Sequence, residues 1–147
     1  MTIRRMTAED LEPLYMLLSD PEVMKSLEQP FTLKQTASFL KTQGLISIPR
    51  ILAVDDKNQS FMGYVIYHDY DNESKEIGWV IKKEMWGQGI AGILTKQLVA
   101  MAQSEGKDVV IECVPEQMTT RAIAEKHGFQ KAGESDGLDI YRRERAK

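Results

Sequence analysis

The chain has 147 residues, 42% of them hydrophobic, and can bury about two-thirds of its unfolded surface in one domain covering residues 1–147. Its formal net charge of −3 gives no reason to expect a nucleic-acid partner, which would require a basic face. A single cysteine excludes an internal disulfide framework and fits a reducing compartment, and two histidines without ligand spacing predict no metal site.

The N-terminal third predicts a short strand followed by helices. Residues 1–14 lack the apolar stretch of a signal peptide, and no segment reaches the ~18 apolar residues of a transmembrane helix. We therefore expect a cytoplasmic protein without a membrane partner. Ile3–Met6 has the pattern of a strand, and Thr7 begins a capping box at a helix start. An Asp-Pro pair at 20–21 predicts a second helix start, and Thr32–Thr42 predicts a third helix.

After residue 49 the hydrophobic period changes to that of strands. The predicted elements, in chain order, are strand Arg50–Val54, a hairpin of Met62–Tyr70 and Glu76–Lys82, helix Gly89–Glu105, strand Asp108–Val114, helix Thr119–His127, and paired strands Phe129–Glu134 and Leu138–Arg143. The apolar character of Asp108–Val114 predicts burial on both faces. This order predicts a layered α/β domain around one central sheet.

One segment combines a strand end, a glycine-rich turn and the start of the longest helix. Gly87, Gly89 and Gly92 lie within six residues there, although a glycine costs up to ~1 kcal/mol relative to alanine inside a helix. The first amides of a helix have no intrahelical partner and carry partial positive charge, so they can bind a phosphate or pyrophosphate. A tight turn without a ligand is the alternative. The segment contains neither GxxxxGK[ST] nor the third glycine of GxGxxG.

This segment and its surroundings resemble the GCN5-related N-acetyltransferase (GNAT) superfamily, and in particular the branch of ribosomal-protein N-terminal acetyltransferases. The similar residues run from Glu76–Ile81 through residues 86–91 to the Glu-Lys-His-Gly-Phe run at 125–129. The resemblance implies an α/β fold with a mixed, mostly antiparallel sheet, flanking helices and two central parallel strands that splay apart. Those strands are Glu76–Ile81 and Asp108–Val114.

The family signature is a Gln or Arg, two residues, a Gly, one residue, and a Gly or Ala. Gly89 and Ala91 match it, whereas Trp86 stands where the family has Gln or Arg. By resemblance, strand backbone binds the pantetheine arm of the cosubstrate acetyl-CoA, and the glycine-rich turn binds its pyrophosphate. The residues that this implies are Val80, Ile81, Gly87, Gln88, Gly89, Ile90, Ala91 and Gly92.

The resemblance implies direct attack of a primary amine on the thioester in a ternary complex, without a metal. An amine with a pKa near ~10.4 must first lose a proton, which costs about 4–5 kcal/mol at neutral pH, so a base is expected. Some relatives carry a carboxylate near Glu76, which makes it the candidate; an ordinary strand-end carboxylate is the alternative. Glu112 is the second choice, and His68 is interpreted as surface structure. The Val80 amide is the candidate for stabilising negative charge on the thioester oxygen.

The candidate for the general acid comes from the same resemblance. Many relatives have a tyrosine four residues before the Gly-Phe pair, but this chain has Ala124. The ribosomal-protein branch uses a serine at this helix start, so Thr120 is the candidate, with helix capping as the alternative. Tyr141 is a further choice.

The acceptor is expected to be an amine on a small molecule or a protein N-terminus. Family acceptor pockets involve the segments corresponding to residues 14–45 and 135–138, and neither identifies the acceptor here. The missing tyrosine keeps open a non-catalytic acyl-CoA-binding or regulatory module with the same fold. A monomer or a homodimer is expected.

Overall fold

A computed structural model describes residues 1–146, which form a seven-stranded mixed sheet with flanking helices, in the strand order β1-β2-β3-β4-β5-β7-β6. The strands are β1 (Thr2–Arg4), β2 (Ile51–Asp55), β3 (Phe61–Asp71), β4 (Ser74–Ile81), β5 (Asp108–Cys113), β6 (Gln130–Ser135) and β7 (Leu138–Arg143). The helices are α1 (Leu11–Leu18), α2 (Pro21–Met24), α3 (Leu33–Phe39), α4 (Ile90–Ser104) and α5 (Met118–Lys126). Within the described chain no helix combines the length and apolarity needed to cross a membrane.

The predicted α/β class is confirmed, and the predicted elements are present with shifted ends. The first strand ends at Arg4, and not at Met6, because Thr7 already caps the helical turn that follows. Strand β2 extends one residue beyond the predicted end at Val54, to Asp55, which pairs with Thr2 of β1. The helix that begins after Thr32 continues as a π-helical turn, Leu40–Gly44.

The chain divides into two compact units. Unit 1 contains residues 1–66 and 79–88, and unit 2 contains residues 67–78 and the chain from Gly89 onward. Strands β3 and β4 contribute residues to both units.

Unit 1 is organised around a buried apolar cluster. Leu14 and Leu18 of α1 are almost completely buried in it, and burying such a side chain contributes roughly 1.5–3 kcal/mol. Phe39 packs edge-on against Phe31 with ring centroids 5.7 Å apart. The other buried members are Met6, Leu17, Val23, Met24, Leu40, Ile51, Ala53, Tyr64 and Val80.

An ion-pair network joins the first strand, the first helical turn and β2. The Arg4 guanidinium donates to Asp55 Oδ2 at 2.7 Å and to Asp10 Oδ1 at 2.8 Å. Asp10 also accepts from the Thr7 backbone amide, which completes the predicted capping box. Burial acts to raise the pKa of Asp10, but Arg4 and Thr7 outweigh it and lower that pKa.

Unit 2 is organised around β5. This strand pairs in parallel with β4 and antiparallel with β7, which in turn pairs with β6. Its burial is high, as predicted, although the Glu112 side chain is only half-buried. The Asp108 carboxylate accepts from Arg142 Nη2 at 2.9 Å and from Arg145 Nε at 2.9 Å, so it ties the chain after β7 to the start of β5.

Candidate functional site

The glycine-rich segment forms the predicted turn before α4. Gly87 and Gly89 have φ angles of +78° and +76°, a region that glycine occupies without steric cost. Gly89 is the N-cap of the helix, and Ile93 N donates the first intrahelical hydrogen bond to Gly89 O at 3.2 Å. The amides of residues 90–92 precede that bond, and the 15 residues of α4 align their dipoles behind them.

Trp86 fixes the entry to this turn. Its indole Nε1 donates to the Ile81 carbonyl oxygen at 2.9 Å, while its side chain remains half-exposed. The hydrogen bond connects the end of β4 directly to the start of the glycine segment. At the position where the family signature has Gln or Arg, Trp86 therefore makes a specific hydrogen bond to the strand backbone.

The backbone of β3 approaches Val80 very closely at Gly63. A Cβ on Gly63 would lie 2.1 Å from the Val80 carbonyl oxygen, and the φ of Gly63 is +155°. The β2–β3 register also shifts here, since Val54 pairs with Gly63 and Asp55 pairs with Phe61. Only glycine fits this position. Gly63 was not among the predicted site residues, although a glycine inside a strand is a known signal of a bulge or close backbone approach.

The parallel pairing between β4 and β5 is short. Ser74–Glu76 pair with Asp108–Val110, and the register ends there although β4 continues to Ile81 and β5 to Cys113. Pairing that stops within both strands is expected of splayed strands. The residue at the end of this pairing on β4 is Glu76, the candidate base.

In unit 2, Glu76 is accompanied by a histidine. His68 Nε2 of β3 lies 3.3 Å from Glu76 Oε1, and the two side chains are 15% and 21% exposed. His68 was interpreted as surface structure, which is wrong: it is largely buried and contacts the candidate base. The second candidate, Glu112, accepts a hydrogen bond at 3.1 Å from the hydroxyl of Tyr70, two residues after His68 on the same strand.

The three positions considered for the general acid differ in their exposure. Thr120 is the third residue of α5, whose N-cap is Gln117. The alternative interpretation of Thr120 as the helix cap is therefore wrong. Ala124 is completely buried. Tyr141 is also buried, paired with Ile111 of β5 in the sheet, and among the three only Thr120 is partly exposed.

The loop predicted to contribute to the acceptor pocket borders a cavity of about 320 Å³ in unit 2. Its lining includes the acidic residues Glu134, Asp136 and Asp139. Lys131 lies 2.8 Å from Glu134 and 3.3 Å from Asp139, so part of this negative charge is already neutralised. No group of His, Cys, Asp and Glu residues with metal-binding geometry occurs within residues 1–146.

The acetyltransferase (GNAT) domain family matches residues 1–130. The chain belongs to the GNAT acetyltransferase family. A comparison with curated protein sequences found no match. Solved GNAT structures share the fold at low identity: an acetyltransferase of the GNAT family from Bacillus anthracis superposes with a TM-score of 0.80 and 22% identity, covering 95% of this chain and 90% of that one.

Two further structural neighbours act on different amines. Spermidine N-acetyltransferase from Vibrio cholerae, solved with CoA and spermine, has a TM-score of 0.79 and 19% identity, covering 96% of this chain and 92% of that one. Ribosomal-protein-alanine N-acetyltransferase from Brucella melitensis has a TM-score of 0.70 and 20% identity, with 97% of each chain covered. At these identities the GNAT neighbours establish the fold and leave the acceptor open.

Proposed function

We propose that this chain is an acetyl-CoA-dependent N-acetyltransferase that acts on a primary amine by direct attack in a ternary complex. The observation that carries the proposal is the left-handed glycine turn, which leads directly into the first amides of α4. Such amides suit a pyrophosphate. The proposed cofactor residues remain those of the family pattern: Val80, Ile81, Gly87, Gln88, Gly89, Ile90, Ala91 and Gly92.

The proposed reaction begins when the Glu76 carboxylate takes a proton from the acceptor ammonium. The neutral nitrogen then attacks the thioester carbonyl carbon, and the Val80 amide donates a hydrogen bond to the carbonyl oxygen as its negative charge grows. A C–N bond forms and the C–S bond breaks. The nitrogen loses its second proton, CoA leaves as a thiolate that the Thr120 hydroxyl can hydrogen-bond, and the thiolate gains a proton. The products are an acetamide, CoA and one released proton.

For the acceptor we propose an amine that is cationic before reaction, on a small molecule or on a protein N-terminus. The carboxylates beside the 135–138 turn support a cationic acceptor. Resemblance to the ribosomal-protein branch favours a protein N-terminus, whereas the Vibrio cholerae neighbour is named for the acetylation of a polyamine, spermidine. A panel of N-terminal peptides, polyamines and amino acids, assayed by thiol release from acetyl-CoA, separates these classes. Acetyl-CoA binding without turnover of any acceptor would favour the non-catalytic module.

The pyrophosphate position is tested at Gly92. Gly89 is unsuitable, because any side chain there would be strained at φ +76°. Gly92 lies in the first turn of α4, where an added Cβ meets only His127 Nε2 at 3.6 Å, an ordinary contact. A glutamate at this position favours the helix, since it adds negative charge near the positive dipole end, but it repels a bound diphosphate.

We expect Gly92→Glu to weaken acetyl-CoA binding about 100-fold by calorimetry while thermal stability is retained. Gly92→Gln is the matched control, with nearly the same shape and no charge, and is expected to lose less than about 10-fold. Equal acetyl-CoA affinities for Gly92→Glu and the unmodified protein would show that the pyrophosphate does not bind at this helix end. Equal losses in both variants would indicate a steric effect.

A further inference from the structure

His68 and Glu76 form a pair whose geometry favours a shared proton. The Nδ1 atom of His68 lies 2.9 Å from the backbone carbonyl oxygen of Asp69. A carbonyl oxygen only accepts hydrogen bonds, so Nδ1 must carry a proton to make this contact. In a neutral imidazole the proton on Nδ1 leaves Nε2 with a lone pair, and Nε2 is the atom that faces Glu76 Oε1 at 3.3 Å.

Two arrangements make the Nε2–Oε1 contact favourable, and both hold one additional proton. Either the imidazole is doubly protonated and faces a carboxylate, or a protonated carboxyl of Glu76 donates to Nε2. Without that proton, a lone pair and a carboxylate oxygen would face each other. Because this deprotonated form is repulsive, the pair gains a proton more readily than an isolated carboxylate does.

The neighbouring charged groups in unit 2 have their own partners. The Asp69 carboxylate lies 2.7 Å from Lys75 Nζ, which also approaches Glu105 at 3.7 Å. The Tyr70 hydroxyl donates to Glu112. Asp69, Tyr70 and Glu112 are thus titratable groups near the pair, and the two carboxylates among them are held by Lys75 and Tyr70. The geometry therefore distinguishes the two candidate bases, since Glu112 accepts from a hydroxyl whereas Glu76 faces an imidazole.

We infer that His68 is a positioning residue for catalysis: it orients Glu76 and shares with it the proton that Glu76 removes from the acceptor amine. The inference rests on the proposed acetyltransferase function. The proton leaves the ammonium nitrogen, binds the Glu76 carboxylate and is stabilised by Nε2 of His68 until it is released to solvent. An isolated carboxylate titrates near ~4.3 and an imidazole near ~6.5, so the shared site is a better match to an amine near ~10.4 than a carboxylate alone.

The shared proton is tested first without substrate, by NMR of the imidazole nitrogens across pH. The chain has only two histidines, so His127→Gln assigns both rings. In the unmodified protein we expect Nδ1 of His68 to stay protonated at all pH values while Nε2 titrates. In Glu76→Gln the midpoint should fall by at least about one unit, because the partner charge is lost. An unchanged midpoint, or a neutral ring protonated on Nε2, would overturn the inference.

The kinetic test is the pH dependence of kcat/KM with the best acceptor from the panel. His68→Gln retains a donor toward Glu76 but has no titratable proton, so its acid limb should move to lower pH, and its kcat/KM at neutral pH should fall about 10-fold. His68→Asn serves as a second variant, and Tyr67→Phe is the matched control on the same strand, with its side chain directed to Glu105. Acetyl-CoA affinity should stay unchanged in all three.

The outcomes separate this inference from the proposed function. A wild-type rate and acid limb in both His68 variants would overturn the role of His68 while leaving the acetyltransferase intact. An intact shared proton by NMR, together with no turnover of any amine by the unmodified protein, would overturn the proposed function and with it the catalytic use of the pair.

Discussion

Both compact units of the chain contain ion pairs, but they differ in where the apolar cluster around α1 and the candidate bases lie. Unit 1 contains the continuous apolar cluster around α1, with Leu14 and Leu18 at its centre. Unit 2 also has buried strands and helices, but charged contacts join its elements: Asp108 with Arg142 and Arg145, and Tyr67 with Glu105. Unit 2 is also where His68 contacts Glu76 and Tyr70 contacts Glu112.

This difference indicates which surroundings can accommodate the titratable groups of a catalytic site. An apolar cluster tolerates no unpaired charge, because burying one costs several kcal/mol. A unit whose elements are joined by hydrogen-bonded carboxylates and cations already supplies partners and partial exposure, so titratable groups such as Glu76 fit there. We therefore expect substitutions in the apolar cluster of unit 1 to change stability independently of pH, and substitutions at the charged contacts of unit 2 to change it in a pH-dependent way.

The largest effect is expected at Leu14, whose side chain is fully buried. Leu14→Ala should lower the free energy of unfolding by about 3–5 kcal/mol, because it removes apolar contacts and leaves a cavity. The loss should be the same at pH 7 and pH 4, as measured by urea denaturation. Met16→Ala is the matched control on the same helix, and with 67% exposure of Met16 it should change stability by less than about 0.5 kcal/mol. A strongly pH-dependent loss of stability in Leu14→Ala would contradict the expectation that the apolar cluster is stabilised independently of pH.

A smaller, pH-dependent effect is expected at Asp108. Burial acts to raise its pKa, but the hydrogen bonds from Arg145 and Arg142 outweigh burial and lower that pKa below its ordinary value. The stabilisation is therefore present above the unfolded-state pKa near ~3.9 and is lost as the pH falls through the lower folded-state value. Asp108→Asn should cost about 1.5–3 kcal/mol at pH 7 and clearly less near pH 3.

Glu134→Gln is the control for Asp108. Glu134 forms an ion pair with Lys131 in the same unit, but its side chain is 69% exposed. Its removal should cost less than about 1 kcal/mol at any pH. Denaturation of both variants at the two pH values separates a buried ionic contact from a surface one. Equal costs in the two variants would mean that burial does not strengthen the Asp108 contacts.

The smallest effect on stability is expected at Thr120, which also lies in unit 2. Thr120 lies in the first turn of α5 without capping it, so its hydroxyl is not needed for the helix start. Thr120→Val, which keeps the shape, should leave thermal stability within about 0.5 kcal/mol and slow turnover roughly 10-fold, or ~1.4 kcal/mol of barrier. Thr119→Val is the matched control one residue earlier. Full activity in Thr120→Val would indicate that water, and not the Thr120 hydroxyl, hydrogen-bonds the leaving sulfur.

Local structure in this chain could be predicted because its causes lie within a few residues. The capping box at Thr7, the Asp20 cap before Pro21 and the glycine-rich turn before α4 each depend on neighbours in the chain. Strand and helix order followed from hydrophobic period in the same way. The cofactor and catalytic residues came from resemblance to the GNAT superfamily, and their roles stay predictions.

Contacts between distant residues were decided only by tertiary structure. The pairing of Arg142 and Arg145 with Asp108 joins residues 34 and 37 positions apart, which no local pattern specifies. The need for glycine at 63 arises only because the Val80 carbonyl lies against it. Likewise, period alone placed His68 in a strand, but the alignment of β3 beside β4 decided that its ring faces Glu76. A shift of one residue in either strand would turn one of these side chains to the opposite face of the sheet.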